Sequence, residues 1–438
     1  MEEEEEKREG KQVQEISLKT EFIGDSENRK FSGSPKTEFI GDLHIHSRFS
    51  RACSKNITIP ELVKWAKVKG LDLLGTSDFT HPEWLKEIKE LLVEKDGLYW
   101  YDYFPFMLTG EVSLMYTHGR GRRVHILLLV PSIDVVDKIN SYLDTKGRRD
   151  YDGRPIFKIP CEEFAREMRK ISDKIEVIPA HIWTPWFGVF GSSTGYDSLK
   201  EAFGEEFDNI HAIETGMSSD PEMNWRISEL DGKSIVSFSD SHSFWPWRLG
   251  REATIFTGEL SYNNILKQIR ENSFKATIET DPAYGKYHWD GHRACEFSCS
   301  PQKSKELGNI CPKCGKSLII GVENRVEQLA SHERGYFPER GKPFYKLLPL
   351  HELIALVKKS SLSSKKTWEV YDRLIEKFGN EFNILLRVDK QELAKFLKGE
   401  ERLADVIIDN RIANITVKPG YDGVYGEPVL REKQGTLF

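Results

Sequence analysis

Phe39-Ile40-Gly41-Asp42-Leu43-His44-Ile45-His46 reads as a short apolar strand ending in two histidines. On an extended chain, residues i and i+2 share a face. His44 and His46 therefore present both imidazoles to one side, as two ligands of a single metal ion must. One such pair is weak evidence, because buried structural histidines are common. It gains weight because metal-ligating residue types recur at one strand end after another. Strand signals are read at Glu38–Ile45, Leu71–Thr76, Phe106–Val112, Val124–Val130, Glu176–Pro179, Ile210–Glu214, Ser234–Phe238 and Glu252–Phe256. Asp78 and His81 follow the second and Glu111 lies at the end of the third. His125 begins the fourth run, His181 follows the fifth, and Asp240 and His242 follow the seventh.

Between these strands lie amphipathic helical stretches such as Pro60–Lys69, capped by Thr58 and stopped by Gly70, and Trp84–Glu94. Strands alternating with helices predict an α/β barrel or a doubly wound sheet. In either, functional residues sit past the C-terminal ends of strands. The full chain of 438 residues is 39% apolar with 30% charged residues and a net charge of −6, so it is neither wholly disordered nor a strongly basic nucleic-acid coat. No apolar run is long enough to span a bilayer, and five glutamates after Met1 are unlike a targeting peptide, so a cytoplasmic enzyme is expected. Residues 1–35 read as a polar tail. The string Lys-Thr-Glu-Phe-Ile-Gly-Asp occurs at 19–25 and again at 36–42, and only the second copy continues into the histidines.

Cys295, Cys299, Cys311 and Cys314, with Gly315 after the last, have the knuckle spacing of a structural zinc ribbon. Such a site holds a lobe together; His288 and His292 just before it are read as spare ligands or, with more weight, as solvated loop histidines. Beyond it the pattern is helical, at His351–Lys359, Thr367–Phe378, Gln391–Leu397 and Leu403–Asp409. Residues 295–420 carry 22 Lys/Arg against 17 Asp/Glu, a local basic excess suited to a polyanion.

As a set, the strand-end series resembles the polymerase-and-histidinol-phosphatase (PHP) family of metal-dependent phosphoesterases, over about residues 38–260. The resemblance implies a distorted (βα)7 barrel holding two or three divalent metals (Zn²⁺, Mg²⁺ or Mn²⁺). It implies one metal on His44, His46, Glu111 and Asp240, and a second sharing Glu111 with His125 and His181. A third site would draw on Asp78, His81 and His242. There the chain departs from the pattern, with Ala52 where the family has a histidine and Phe79 after Asp78. Glu111 and Asp240 would be essential to catalysis, with Asp42 orienting the ligating histidines. Arg248 and Arg251 would grip phosphate oxygens or, equally, lie on the surface.

Arg120, Arg122 and Arg123 in one loop, and Trp183, Trp186, Phe187 and Gly188 in another, suit backbone contact and base stacking. The whole layout, including Ile320-Gly321-Val322, Arg325-Val326-Glu327 and the stretch Pro419–Gly426, is similar to the endonuclease Q family of DNA-repair enzymes over nearly all of 36–430. That similarity implies nicking on the 5′ side of deaminated bases (hypoxanthine, uracil, xanthine) and of abasic sites. The expected domains are a catalytic barrel at 36–285, a zinc lobe at 286–322, a helical DNA-binding domain at 323–420 and a tail at 421–438. In that tail Gln434, Leu437 and Phe438 resemble the start of a sliding-clamp (PCNA) binding peptide. The rival readings are a phosphatase or exonuclease of the same barrel, and a DNA-binding protein without catalysis.

Overall fold

The computed structural model describes residues 38–430. The polar tail and the clamp-type residues Gln434, Leu437 and Phe438 lie outside the described residues. The architecture is mixed α/β around a central sheet whose strands run, in space, Phe344–Lys346, Ala276–Glu279, Ala253–Thr257, Glu38–Asp42, Leu73–Gly75, Phe104–His118, Leu98–Tyr101 and Val93–Lys95. Phe104–His118 also pairs along its length with Arg120–Val130, which pairs with Glu176–Pro179. A separate parallel pair, Ala212–Glu214 with Ser234–Val236, follows. The series then curls back on its start: Ile45 bridges Ser241 in parallel, and the His46 amide donates to the Ser241 carbonyl at 2.9 Å. That closure brings distant strand ends to one place.

Helix–strand alternation breaks in several places, and one of them bears on the site. The loop expected between the third and fourth strands is the tip of an antiparallel hairpin, Phe104–His118 against Arg120–Val130, turning at Gly119 with φ +68°. A positive φ suits glycine, which has no Cβ to clash. The inner ends of both strands are buried and the tip is exposed. Arg120, Arg122 and Arg123 are therefore strand residues, not loop residues.

Elsewhere local chemistry sets the element ends. The helix Ile59–Lys69 starts where the Thr58 hydroxyl accepts from the Glu61 amide and stops at Gly70 in the left-handed region. The helix expected at Trp84–Glu94 runs Pro82–Leu91 and gives way to the Val93–Lys95 strand. Toward the C-terminus lie the helices Leu350–Lys358, Lys365–Phe378, Glu381–Leu386, Lys390–Phe396 and Glu401–Arg411. They are not a loose appendage. Phe344–Lys346 joins the central sheet beside Ala276–Glu279, and Trp368 packs its ring against Trp65, Trp245 and Trp247. The tryptophans of the Phe244–Arg248 loop thus pack against the helical region. No helix among the described residues is long and apolar enough to cross a membrane.

Candidate metal centre

Two donor groups lie side by side where the strand ends converge: His44, His46 and Asp240, and Glu111, His125 and His181. Within each group the ligand atoms lie within 4.8 Å of one another. The hairpin register accounts for one pairing: Ser113 opposes His125 and Glu111 opposes Leu127, so Glu111 and His125 are diagonal neighbours on one face. Glu111 Oε1 is 2.8 Å from His125 Nδ1 and 3.3 Å from His181 Nε2, while its Oε2 is 3.3 Å from His46 Nε2. One carboxylate therefore touches both groups.

The backbone is strained where these side chains are presented. Ser77, Asp78, His181, Phe187 and Asp240 all have positive φ, sparsely populated for residues with a Cβ. Gly216 makes room for one of them, since a Cβ there would lie 2.5 Å from His181 Cβ.

The donor chemistry fits divalent cations. Glu214 accepts from His44 Nδ1 at 2.9 and 3.0 Å, leaving the buried Nε2 without a hydrogen-bond partner and facing Glu111 and Asp240. Asp78 likewise engages His46 Nδ1 at 3.1 Å. A carboxylate on the far nitrogen fixes tautomer and ring orientation, as around metal-ligating histidines generally. Charge agrees. Burial pushes the His44 and His46 imidazoles down, but Glu214 and Glu111 on the first and Asp78 and Asp240 on the second outweigh it and hold both well above the ordinary value. Burial pushes the Glu111 carboxyl up, yet His125, Arg154 and His44 keep it well below the usual range. Burial takes His125 down to about 3 and His242 to about 4, so both are neutral. Nitrogen and oxygen donors of this kind accept Zn²⁺, Mn²⁺ or Mg²⁺.

Several expected roles are relocated. Asp42 does not orient the histidines: its carboxylate accepts from Ser239 N at 3.0 Å, Ser239 Oγ at 2.6 Å and Gly250 N at 2.9 Å, pinning the first strand to the Asp240 segment. Burial raises its carboxyl to about 6. Orientation falls to Asp78 and to Glu214, which also accepts from the His181 amide at 2.9 Å. Asp78 is fully committed, since it also takes the Ser47 amide and the Ser47 and Ser50 hydroxyls. His81 stacks on Phe49 with ring centroids 4.2 Å apart and is in neither donor group. His242 lies beside His46, at 4.7 Å between centroids.

Of the arginines, Arg251 donates twice to the Ser239 carbonyl, and Arg248 lies near Glu352. Arg120 and Arg122 both donate to the Gly195 carbonyl, while Arg123 is exposed above Phe187. Trp183 is buried with its indole on Asn224, and a Cβ at Gly188 would collide with the Ile182 and Thr184 carbonyls. Trp186 and Phe187 are half-buried, with Phe187 4.4 Å from the His125 ring.

In the cysteine lobe the clustered donors are His292, Cys295, Cys311 and Cys314, not four cysteines. Cys299 opposes Asp290 on the hairpin, one two-residue step from the His292–Phe297 pair, and packs with Leu318. Burial pushes the Cys311 thiol up, but the Lys313 and Cys314 amides bring it down to about 7. Three sulfurs and an imidazole suit zinc. Cys311→Ser with Cys314→Ser is expected to remove lobe zinc and lower the melting temperature, with any metal on the two strand-end donor groups unchanged. His292→Ala should also weaken lobe zinc, whereas Cys299→Ser should retain it. Zinc content by mass spectrometry decides; loss only on replacing Cys299 would restore the four-cysteine set.

Residues 349–413 match the family model described as the MJ0043 C-terminal domain. The chain is 33% identical over 287 residues to the uncharacterized protein MJ0043 of Methanocaldococcus jannaschii, spanning 34% of that protein. It is 26% identical to the uncharacterized protein YqxK of Bacillus subtilis, over 89% of this chain and 99% of that protein. The crystal structure of the lesion-specific endonuclease PfuEndoQ from Pyrococcus furiosus superposes with a TM-score of 0.82 at 32% identity, covering 90% of this chain and 96% of that one. An endonuclease Q bound to a 27-mer duplex with an abasic lesion at its active site gives 0.81 at 32% identity, over 92% of this chain and 100% of that one. Fold and site together thus define an enzyme acting on phosphodiester bonds. The chain belongs to the endonuclease Q family.

Proposed function

We propose that this enzyme nicks DNA on the 5′ side of deaminated bases (hypoxanthine, uracil, xanthine) and of abasic sites, leaving 3′-hydroxyl and 5′-phosphate ends. The observation that carries this reading is the pair of donor groups joined by Glu111. Its support is the full-length likeness to an endonuclease Q seen on an abasic duplex. His44, His46 and Asp240 would hold one cation and His125 and His181 a second, with Glu111 shared, on a barrel of the PHP type. Divalent cations there would make a water nucleophilic near neutral pH and neutralise charge on the phosphate. The chain's own part is to hold the imidazoles in one tautomer through Glu214 and Asp78, and to keep Glu111 and Asp240 ionised. Exposed Arg123 lies beside the site for backbone contact. The basic helical region at 323–420 would follow the duplex, and a clamp would engage Gln434, Leu437 and Phe438.

End-labelled duplexes carrying one hypoxanthine, incubated with Mg²⁺ or Mn²⁺, test the reading. A single internal nick supports it; end-trimming supports an exonuclease, and a shifted but intact duplex a binding protein. Base selection is assigned to Trp186 and Phe187, beside His125. A base turned out of the stack needs such a surface, and an abasic site has no base to hold. Phe187→Ala should therefore slow nicking at hypoxanthine about tenfold more than at an abasic site, toward the lower end of what one stacking contact is worth (about 1–3 kcal/mol). Equal losses on both substrates would assign the loop to packing alone.

A further inference from the structure

Beside Glu111 lies a cation that no strand-end pattern announces. Arg154 Nη1 is 3.1 Å from Glu111 Oε2, and its side chain is only 20% exposed. Its remaining guanidinium nitrogens have no hydrogen-bond partner among the described residues. The loop that delivers it is pinned from several sides. The Gly153 amide donates to the Phe49 carbonyl at 3.1 Å, and the Gly153 carbonyl accepts from Thr80 Oγ1 at 2.9 Å. Asp152 Oδ1 accepts from the Arg154 amide at 3.1 Å, and Asp152 Oδ2 pairs with Arg51 Nε at 3.2 Å.

The approach is as close as backbone allows. A Cβ on Gly153 would lie 2.2 Å from Asp78 Oδ2 and 2.3 Å from Ser50 Oγ. Residue 153 must therefore be glycine for the loop to seat against the Asp78 side of the site. On that side Asp78 is spent on His46, Ser47 and Ser50, and His81 faces Phe49, so they add no third donor group. The loop adds the guanidinium of Arg154 there. Its field reaches Asp240, His125 and His242 as well as Glu111.

We propose that Arg154 is a catalytic residue of this site, its guanidinium contacting a non-bridging oxygen of the scissile phosphate and stabilising the charge that gathers there in the transition state. A planar fork can keep one nitrogen on a carboxylate and give another to phosphate, which an ammonium cannot match. Held by Glu111 in a nearly dry setting, it needs no rearrangement at the moment of reaction. The proposal rests on the metal-centre reading of the site.

Three measurements on the full-length protein test it: barrel metal content, duplex affinity, and the single-turnover nicking rate. Arg154→Ala is expected to lower the rate by about 10²–10³-fold, in the range of lost electrostatic donors. Metal content should be unchanged and duplex affinity should move less than about threefold, because phosphate contacts are spread over the interface. Arg154→Lys should be intermediate, and added guanidinium ion should restore part of the rate to Arg154→Ala but not to wild type. An unaltered rate, loss of barrel metal, or a lowered melting temperature without guanidinium rescue would each overturn the assignment. Wild-type protein that carries no barrel metal and nicks in chelator would instead overturn the metal reading, a result distinct from any of these.

Discussion

Glu111→Gln is expected to abolish nicking, lowering the single-turnover rate by more than roughly 100-fold. The comparison that sets this bound is Glu214→Gln. Glu214 touches metal-facing groups only from behind, on His44 Nδ1 and the His181 amide, and such supports cost about 10–100-fold in metal affinity when removed. Glu111 instead belongs to one donor group and touches the other and Arg154, so its loss acts on both groups and the guanidinium at once. The substitution preserves shape while removing one charge and one acceptor oxygen. Duplex binding should survive, because the exposed arginine and the basic helical region remain. Metal content by mass spectrometry should fall in parallel with the rate. Undiminished nicking by Glu111→Gln would refute the shared-ligand assignment.

Much of the centre was legible because strands have a period of two and end where function collects. His44, His46, Glu111, His125, His181 and Asp240 were all named from position in a strand pattern, and all six meet in the two donor groups. Residues outside such a pattern carried no signal. Glu214 ends a strand whose last residue was read correctly, but a lone carboxylate looks like any other until His44 is brought 170 residues along the chain to meet it. Arg154 lies in a polar loop without periodicity, and only the fit of Gly153 against Asp78 reveals its purpose.

Cysteine spacing located the lobe but not its donors. His292 and Cys299 share one face of the hairpin, so the donor set turns on how far along it each residue lies, and that put His292 in and Cys299 out. The long hairpin was cut short in the sequence because exposed arginines interrupt its alternation at the tip. The Trp183 loop shows the converse: an aromatic next to a ligand is more often core than contact, and the Asn224 bond to its indole settles which it is.

Lys69→Met is expected to be the most destabilising single change away from the centre, costing about 3–5 kcal/mol. Lys69 ends the Ile59–Lys69 helix with a side chain only 1% exposed, and its Nζ is 2.6 Å from Glu381 Oε1 in the helical region. The ammonium also donates to the Pro246 carbonyl at 2.8 Å, while Glu381 accepts from the Leu350 amide and the Tyr371 hydroxyl, both at 2.9 Å. The pair thus joins three parts of the molecule that are far apart in sequence: the first helix, the tryptophan loop after Asp240, and the C-terminal helices. Taking two charges out of water costs nearly as much as their attraction returns, so the intact pair adds little net stability. Removing one partner is different, because Glu381 is left as a buried charge with nothing opposite it. Lys69→Met should lower the denaturation midpoint strongly, and adding Glu381→Gln should recover a large part of the loss. That coupling, read from a double-mutant cycle in denaturant, separates an ion-pair effect from simple loss of packing. Since the Pro246 carbonyl lies six residues after Asp240, nicking by Lys69→Met should fail at a lower temperature than wild type. A single variant within about 1 kcal/mol of wild type would mean that water reaches this junction and that the helical region is held by its aromatic contacts alone.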